Sequence, residues 1–315
     1  MKSEPIEIES VNRDNLLRTL DAVRGCWKAT TMAWMHAMRL PVLPGLIVPG
    51  WSQRTAALVR KYCARERYSE VLLRIDRSGQ RWTRRRGGYL VPVPNIGGVV
   101  KELSREGMIA ILLEPASPYM DCYSLGGVTI PDERKVVIEV VGPGFDASDI
   151  LRSDVQPHER FEVGLPCGGR RPDSSEPPDC KRIYLIDSST YQRTVKQRLT
   201  KIGARLENSA FPDAVLDSGM ADREELARRA HTFLKKTGQT PLLEHATAYS
   251  PIPRKHLTAF VTHLSNLLHR LAAYGIHLGT ISVSASFITN RRLVFWDFFP
   301  AKMRDTTILR RKAHL

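Results

Sequence analysis

The sequence predicts an α+β fold. Segments of helical spacing alternate with short β-branched or leucine runs, and several of those runs then follow one another directly, which favours an α+β sandwich over a doubly wound parallel sheet. A chain of 315 residues with 42% hydrophobic content also has enough apolar material for one large two-lobed domain or two ordinary ones.

Taken in order, 12–26 reads as a short helix and 29–39 as a second, with Met32, Met35, His36 and Met38 mostly on its apolar face. Pro41, Pro44 and Gly45 break that helix and feed an apolar strand over 46–48. Helical periodicity returns over 52–67 through Ala56, Leu58, Val59 and Tyr62, and 71–75 is a compact run suited to a buried strand. The stretch 77–88 is a loop by its arginine and glycine content. A helix over 99–105 and strands over 108–113, 123–130 and 135–141 follow. Prolines, glycines and serines mark 164–181 as an exposed insertion. Beyond it come a strand over 183–186, a basic amphipathic helix over 191–206 and a helix over 222–236 that Asp222 can cap. The clearest helix spans 256–274, with Phe260, Leu264, Leu267, Leu268 and Leu271 at helical spacing and Gly275 as its stop. Two strands over 280–288 and 293–299 complete the order.

Five cysteines without a C-x-x-C pair fit reduced thiols, and Cys167, Cys180 and His158 match no standard zinc spacing. The segment 40–48 is too short and too interrupted to span a membrane, and the acidic, polar start is unlike a secretory signal, so a cytoplasmic protein is expected. A net charge of +14 attracts polyanions: nucleotides, phosphorylated substrates, nucleic acid and acidic membranes all qualify. A basic surface kept for solubility produces the same number.

Three segments can carry chemistry. Arg84-Arg85-Arg86-Gly87-Gly88 combines close backbone approach with charge-assisted donors and suits a triphosphate; an arginine-rich surface loop or an RNA contact has the same composition. Gly142-Pro143-Gly144-Phe145-Asp146 ends an apolar strand and leads to Asp149, Asp154, His158 and Glu159, so it can expose metal ligands or a proton carrier at a sheet edge, with His158 a candidate catalytic group or phosphoacceptor. An ordinary Gly-Pro turn with solvated acids is the alternative. Asp297, among large apolar residues, needs a partner, either a metal ion or one of Lys302 and Arg304.

Four segments in order resemble landmarks of the nucleotide-binding domain of the pyruvate phosphate dikinase and phosphoenolpyruvate synthase group, a branch of the ATP-grasp superfamily. Gly25-Cys26-Trp27-Lys28-Ala29 with Leu40-Pro41-Val42-Leu43-Pro44-Gly45-Leu46-Ile47-Val48 resembles the family's glycine-lysine element and "lPvPpGfvi" turn. Val71-Leu72-Leu73-Arg74-Ile75-Asp76 resembles "vaVRSSa", with Ile75 and Asp76 in place of the paired serines. The strand ending at Glu114 resembles the approach to the adenine hinge, and Gly142 to Asp146 with Gln156-Pro157-His158 resembles "GLGE" followed by "tPD", with one residue inserted before Asp146. Ser284-Ala285-Ser286-Phe287 with 293–300 resembles "DIEW" and "lyiLQaRP", with Ser286 at the glutamate and Asp297 at the glutamine.

The resemblance implies an ATP-grasp-like α+β fold of two α/β lobes with nucleotide held between them, an N-terminal lobe over 1–108 and a C-terminal lobe over 109–315. It implies ATP and Mg²⁺ as cofactors, with Lys28, Arg74, Arg86, Gly87 and Gly88 at the phosphates, Glu114 at the adenine, and Asp297 with Asp146 or Glu139 at a reduced metal site. The implied activity is phosphoryl transfer (a kinase or other transferase) or ligation, acting on an unknown small-molecule acceptor. A non-catalytic nucleotide- or nucleic-acid-binding regulatory or assembly protein of the same fold is the alternative, favoured by the charge and by the basic stretches Arg193 to Arg205 and Arg310-Arg311-Lys312.

Overall fold

The computed structural model describes residues 4–23, 25–77, 88–115, 123–130, 135–142, 156–165, 180–194, 197, 249–273, 280–288 and 292–300. These fall into two units, one holding the described residues up to 115 and one those from 123 onward. The fold is α+β: each unit is built on a sheet in which every strand pair is antiparallel.

The first unit has β1 (Ile6–Glu7), α1 (Leu16–Ala22), α2 (Trp27–Ala37), β2 (Gly45–Val48), α3 (Gln53–Arg65), β3 (Glu70–Arg77), β4 (Gly88–Pro92), α4 (Ile96–Arg105) and β5 (Met108–Leu113). Its strands lie in the order β1-β2-β5-β3-β4. β5 is buried at every position and sits centrally, pairing with β2 and β3, so the first unit includes it rather than ending at residue 108. Alternation along β3 sets the two faces. Val71, Leu73 and Ile75 join a core with Val59, Tyr62 and Cys63 of α3 and Val99, Val100 and Leu103 of α4. Leu72, Arg74 and Asp76 lie on the opposite face, where α2 packs.

Local chemistry explains where these helices start. Ser52 caps α3 by accepting the Thr55 amide at 2.9 Å. The helix expected over 12–26 is shorter because Asn12 and Asn15 bond each other's amides, Asn12 N–H to Asn15 at 2.8 Å and Asn15 N–H to Asn12 at 3.2 Å, holding that stretch in a turn. Gly25, at φ 82, then separates α1 from α2. Gly88 opens a strand that the loop expected over 77–88 did not anticipate; residues 78–87, including Arg86 and Gly87, lie outside the described residues.

The second unit has β6 (Tyr123–Ile130), β7 (Lys135–Val141), β8 (Glu159–Gly164), β9 (Cys180–Leu185), α5 (Arg254–Ala273), β10 (Ile281–Ile288) and β11 (Arg292–Pro300), with strand order β11-β10-β6-β7-β8-β9. α5 covers one face: Phe260 stacks on Phe295 of β11 with centroids 5.6 Å apart. Gly127 makes room for it, because a Cβ there would stand 2.9 Å from the Phe260 ring. β8 corrects one expectation. Glu159 is fully buried on an interior strand between β7 and β9, not exposed at a sheet edge. Part of the insertion expected over 164–181 also proves to be strand, since β9 begins at Cys180. The helices expected over 191–206 and 222–236 lie mostly or wholly outside the described residues, as does Asp146. Among the described residues no helix is long and apolar enough to cross a membrane.

Candidate functional site

In the first unit the structure brings Lys28 and Arg74 to the same contact. Lys28 lies in the first turn of α2 and donates from Nζ to the Ile75 carbonyl of β3 at 2.9 Å. Arg74, one residue earlier on β3 and 8% exposed, directs a guanidinium nitrogen to the Met32 sulfur one turn along α2, at 3.8 Å. Gly88 is the β4 partner of Arg74 in the sheet register. Three positions scattered over sixty residues of sequence therefore meet at one α2–β3–β4 junction.

Asp76 is what docks α2 there. Cys26, the residue at the helix N-cap, makes no side-chain cap, and Asp76 supplies the acceptor from the strand face on which α2 packs: Oδ2 takes the Ala29 amide at 3.1 Å and Oδ1 its neighbour Arg77's amide at 2.9 Å. Burial raises the Asp76 carboxyl above its ordinary range, while those amides and the nearby Lys28 ammonium pull the other way. Asp76→Ala leaves buried amide donors unsatisfied, and a destabilisation of about 3 kcal/mol is expected in urea unfolding; a change below about 1 kcal/mol would remove Asp76 from this role.

Glu114 is not part of the junction. Its amide donates to the Pro44 carbonyl at 2.9 Å, and it follows the Leu72–Leu113 end of the β3–β5 ladder. Ile75 pairs with Ala110, so about 13 Å of strand separates Glu114 from the carbonyl that Lys28 holds.

In the second unit the face opposite α5 carries the polar groups. One register row crosses it: Asp297 on β11, Ser284 on β10, Gly126 on β6, Glu139 on β7 and Arg160 on β8. Ser284 donates to Asp297 at 2.5 Å. Next to this pair, the Trp296 indole donates to Ser286 at 2.8 Å, and the Ser286 and Ser124 hydroxyls bond at 3.0 Å. The bulge at Ser284/Ala285 lets Trp296 and Asp297 both reach this face. Asp297 and Glu139 share the row but not an ion. Three strand spacings, about 14 Å, separate them, whereas the oxygens of one magnesium shell lie within about 4 Å of each other. Among the described residues no three His, Cys, Asp or Glu side chains gather as metal ligands, so Asp297 and Glu139 do not share one magnesium ion; Asp146, the other proposed helper of Asp297, lies outside the described residues.

His158 is fully buried, with edge-on contacts to Tyr191 at 5.0 Å and Tyr249 at 5.1 Å. Its Nδ1 accepts the Gly142 amide at 2.9 Å, which leaves that nitrogen unprotonated. Burial lowers its pKa to about 3. This is a neutral, buried ring held against Gly142 at the end of β7, not a group presented at a sheet edge. Glu159 beside it takes the Ile252 amide at 2.8 Å, the Tyr249 hydroxyl at 3.2 Å and the Arg182 guanidinium at 3.2 Å, while burial raises its pKa.

Two residues of these clusters escape a sequence reading. Asp76 sits inside an apolar run and shows its role only once α2 is seen end-on to β3. Arg160, 3% exposed, is one charge in the segment Glu159-Arg160-Phe161-Glu162 until the strand is assigned; the short polar-apolar alternation Arg160-Phe161-Glu162-Val163 is a faint signal for it.

No protein-family model matches this sequence, and no curated protein matches it. Among solved structures, D-alanyl-alanine synthetase A from Vibrio cholerae O1 biovar eltor is similar over 87% of this chain and 54% of that one, at 10% identity and a TM-score of 0.34. The chain thus spans about half the length of that protein.

Proposed function

We propose that this chain binds ATP and transfers a phosphoryl group to, or ligates, a small-molecule acceptor. The observation that carries the reading is the meeting of Lys28 and Arg74 at the α2–β3 junction, where the ATP-grasp resemblance assigns phosphate contacts. An ammonium has three donors and a guanidinium five, so contacts that fix their place are compatible with donation to phosphate oxygens. Phosphoryl transfer needs little covalent help from a protein; positioned positive charge offsets the charge that develops on the transferred group. Arg86 and Gly87 extend the same assignment, and Gly88 anchors the far end of their segment in β4. Glu114 is proposed at the adenine. His158 acts in this scheme by holding Gly142 and the two tyrosines, not by taking a proton from substrate.

A second reading, nucleotide binding without turnover, is favoured by the separation of Asp297 from Glu139 along the second sheet. Calorimetric titration with ATP, with and without magnesium, separates the two. Lys28→Ala and Arg74→Ala are each expected to weaken ATP binding about tenfold or more, roughly 1.4 kcal/mol, with Asp297→Asn altering only the magnesium-dependent part. Magnesium-independent binding without ATP consumption selects the second reading, and absence of ATP binding by the wild type defeats both.

A further inference from the structure

The face of the first sheet turned away from Lys28 and Arg74 carries a cationic groove. α3 and α4 pack there on one core. α3 contains no acid, and the one acid of α4, Glu102, is held by Arg105 at 2.6 Å. Arg54 and Arg65 of α3 are tied to Glu4 and Glu7, so that flank of the helix faces the edge strand β1. Residues turn about 100° per position along a helix, which places Arg60 on the opposite flank, toward α4. From α4, Gly97 meets Trp51, the residue before the α3 cap: a Cβ there would stand 3.6 Å from the indole. Lys101 follows Gly97 by one turn on that same side. Arg60 and Lys101 thus stand on the two banks, with Lys61 on the crest of α3 and Arg67 just past its end. All four are exposed, and none has an acidic partner among the described residues. Arg67 also holds a left-handed φ of 58, where glycine is the usual residue.

The make-up of the groove decides what can lie in it. A row of exposed cations suits a chain of phosphates better than a single anion. A lipid surface would need large apolar side chains beside the cations, and the exposed residues of α3 include only Ala57 and Ala64 as apolar groups. Those small side chains let a polymer backbone come close. Trp51 is only partly buried, and an indole beside a basic groove can stack an unpaired base, which a duplex does not present. We propose that the α3–α4 groove of the first unit binds single-stranded nucleic acid, with Arg60, Lys61, Arg67 and Lys101 on its phosphates and Trp51 against a base. The groove is separate from the α2–β3 junction, and the proposal does not rest on the ATP reading.

The test uses the full chain. A fluorescein-labelled oligouridylate of about 15 nucleotides is titrated by fluorescence anisotropy at several salt concentrations. Wild type is expected to bind with a log–log salt slope of about −3, from roughly 0.7 for each of the four phosphate contacts on a single strand. Arg60→Ala combined with Lys101→Ala is expected to weaken binding at least tenfold at low salt and to reduce that slope by roughly half. Arg18→Ala removes an exposed charge from α1 instead, and a change of less than about twofold is expected. Trp51→Leu is expected to lose at least fivefold, and Trp51→Phe, which keeps a stacking ring, to recover most of it. Absence of binding, undiminished binding by the double variant, an equal loss in Arg18→Ala, or equal affinity for duplex RNA or phosphatidylserine vesicles would each overturn the proposal. A double variant that also loses ATP binding would merge the two sites and defeat it as well. Wild-type protein that binds the oligonucleotide but not ATP would defeat the nucleotide reading and leave this groove in place.

Discussion

Gly45→Ala is expected to destabilise the protein by about 3 kcal/mol, because a Cβ at that position would lie 2.1 Å from the Leu112 carbonyl oxygen and 2.9 Å from the Leu113 Cα. Both obstacles are backbone atoms of β5, the central strand, so no rotamer change relieves them. β2 would have to move away from β5, loosening the Gly45–Leu113 end of the ladder and the bond by which Glu9 accepts the Gly45 amide at 3.0 Å. Glu9 also takes the Tyr62 hydroxyl at 2.7 Å, so the shift would be felt in α3. Gly50→Ala is the control, since among the described residues nothing lies within 4 Å of its would-be Cβ. Urea unfolding of the two variants checks the contrast, and equal midpoints would show that the Gly45 contact is not required.

Acid is expected to unfold the second unit through His158. Its folded pKa, about 3, lies below the ordinary histidine value of 6.5 because burial penalises the imidazolium. The unfolded chain therefore binds the proton first, and the stability contributed by the neutral ring is fully present above pH 6.5 and lost as pH falls toward 3. Between pH 6.5 and 4 the loss attributable to this residue is about 3 kcal/mol. Asp76 and Glu159 act in the opposite sense: their folded pKa values are raised, so their contribution is greatest below the ordinary carboxylate range and declines as pH rises through it. The difference between wild type and His158→Gln isolates the histidine. Urea midpoints of the two should converge as pH falls across this window, and parallel curves would assign acid sensitivity to other groups.

Much of the strand pattern was legible because apolar runs of fixed length have few alternatives. Met108–Leu113, Tyr123–Ile130 and Lys135–Val141 fall where leucine, isoleucine and valine runs end at turn residues. β8 was not legible, because Glu159-Arg160-Phe161-Glu162 reads as a charged surface until its place between two other strands is known. The start of α2 was misplaced for a similar reason: its cap comes from Asp76, forty-seven positions from the Ala29 amide it accepts. Lys28 and Arg74 are singled out by motif order alone. The geometry that joins them is not, since it depends on which face of β3 receives α2. Metal ligation by Asp297 with Glu139 looked natural in sequence, but strand spacing governs that separation and cannot be read without sheet order.

The second sheet has a consequence for how the chain is made. β6 to β9 form a meander of neighbours in sequence, but the other edge of β6 is closed only by β10, which ends at Ile288. At about 5–20 residues per second, ribosomal synthesis leaves the bare edge of β6 waiting roughly 10–30 s for its partner. Unpaired strand edges of this kind template association with other chains. The yield of correctly folded protein should therefore depend on translation speed and on the chaperones that shelter nascent chains during that interval.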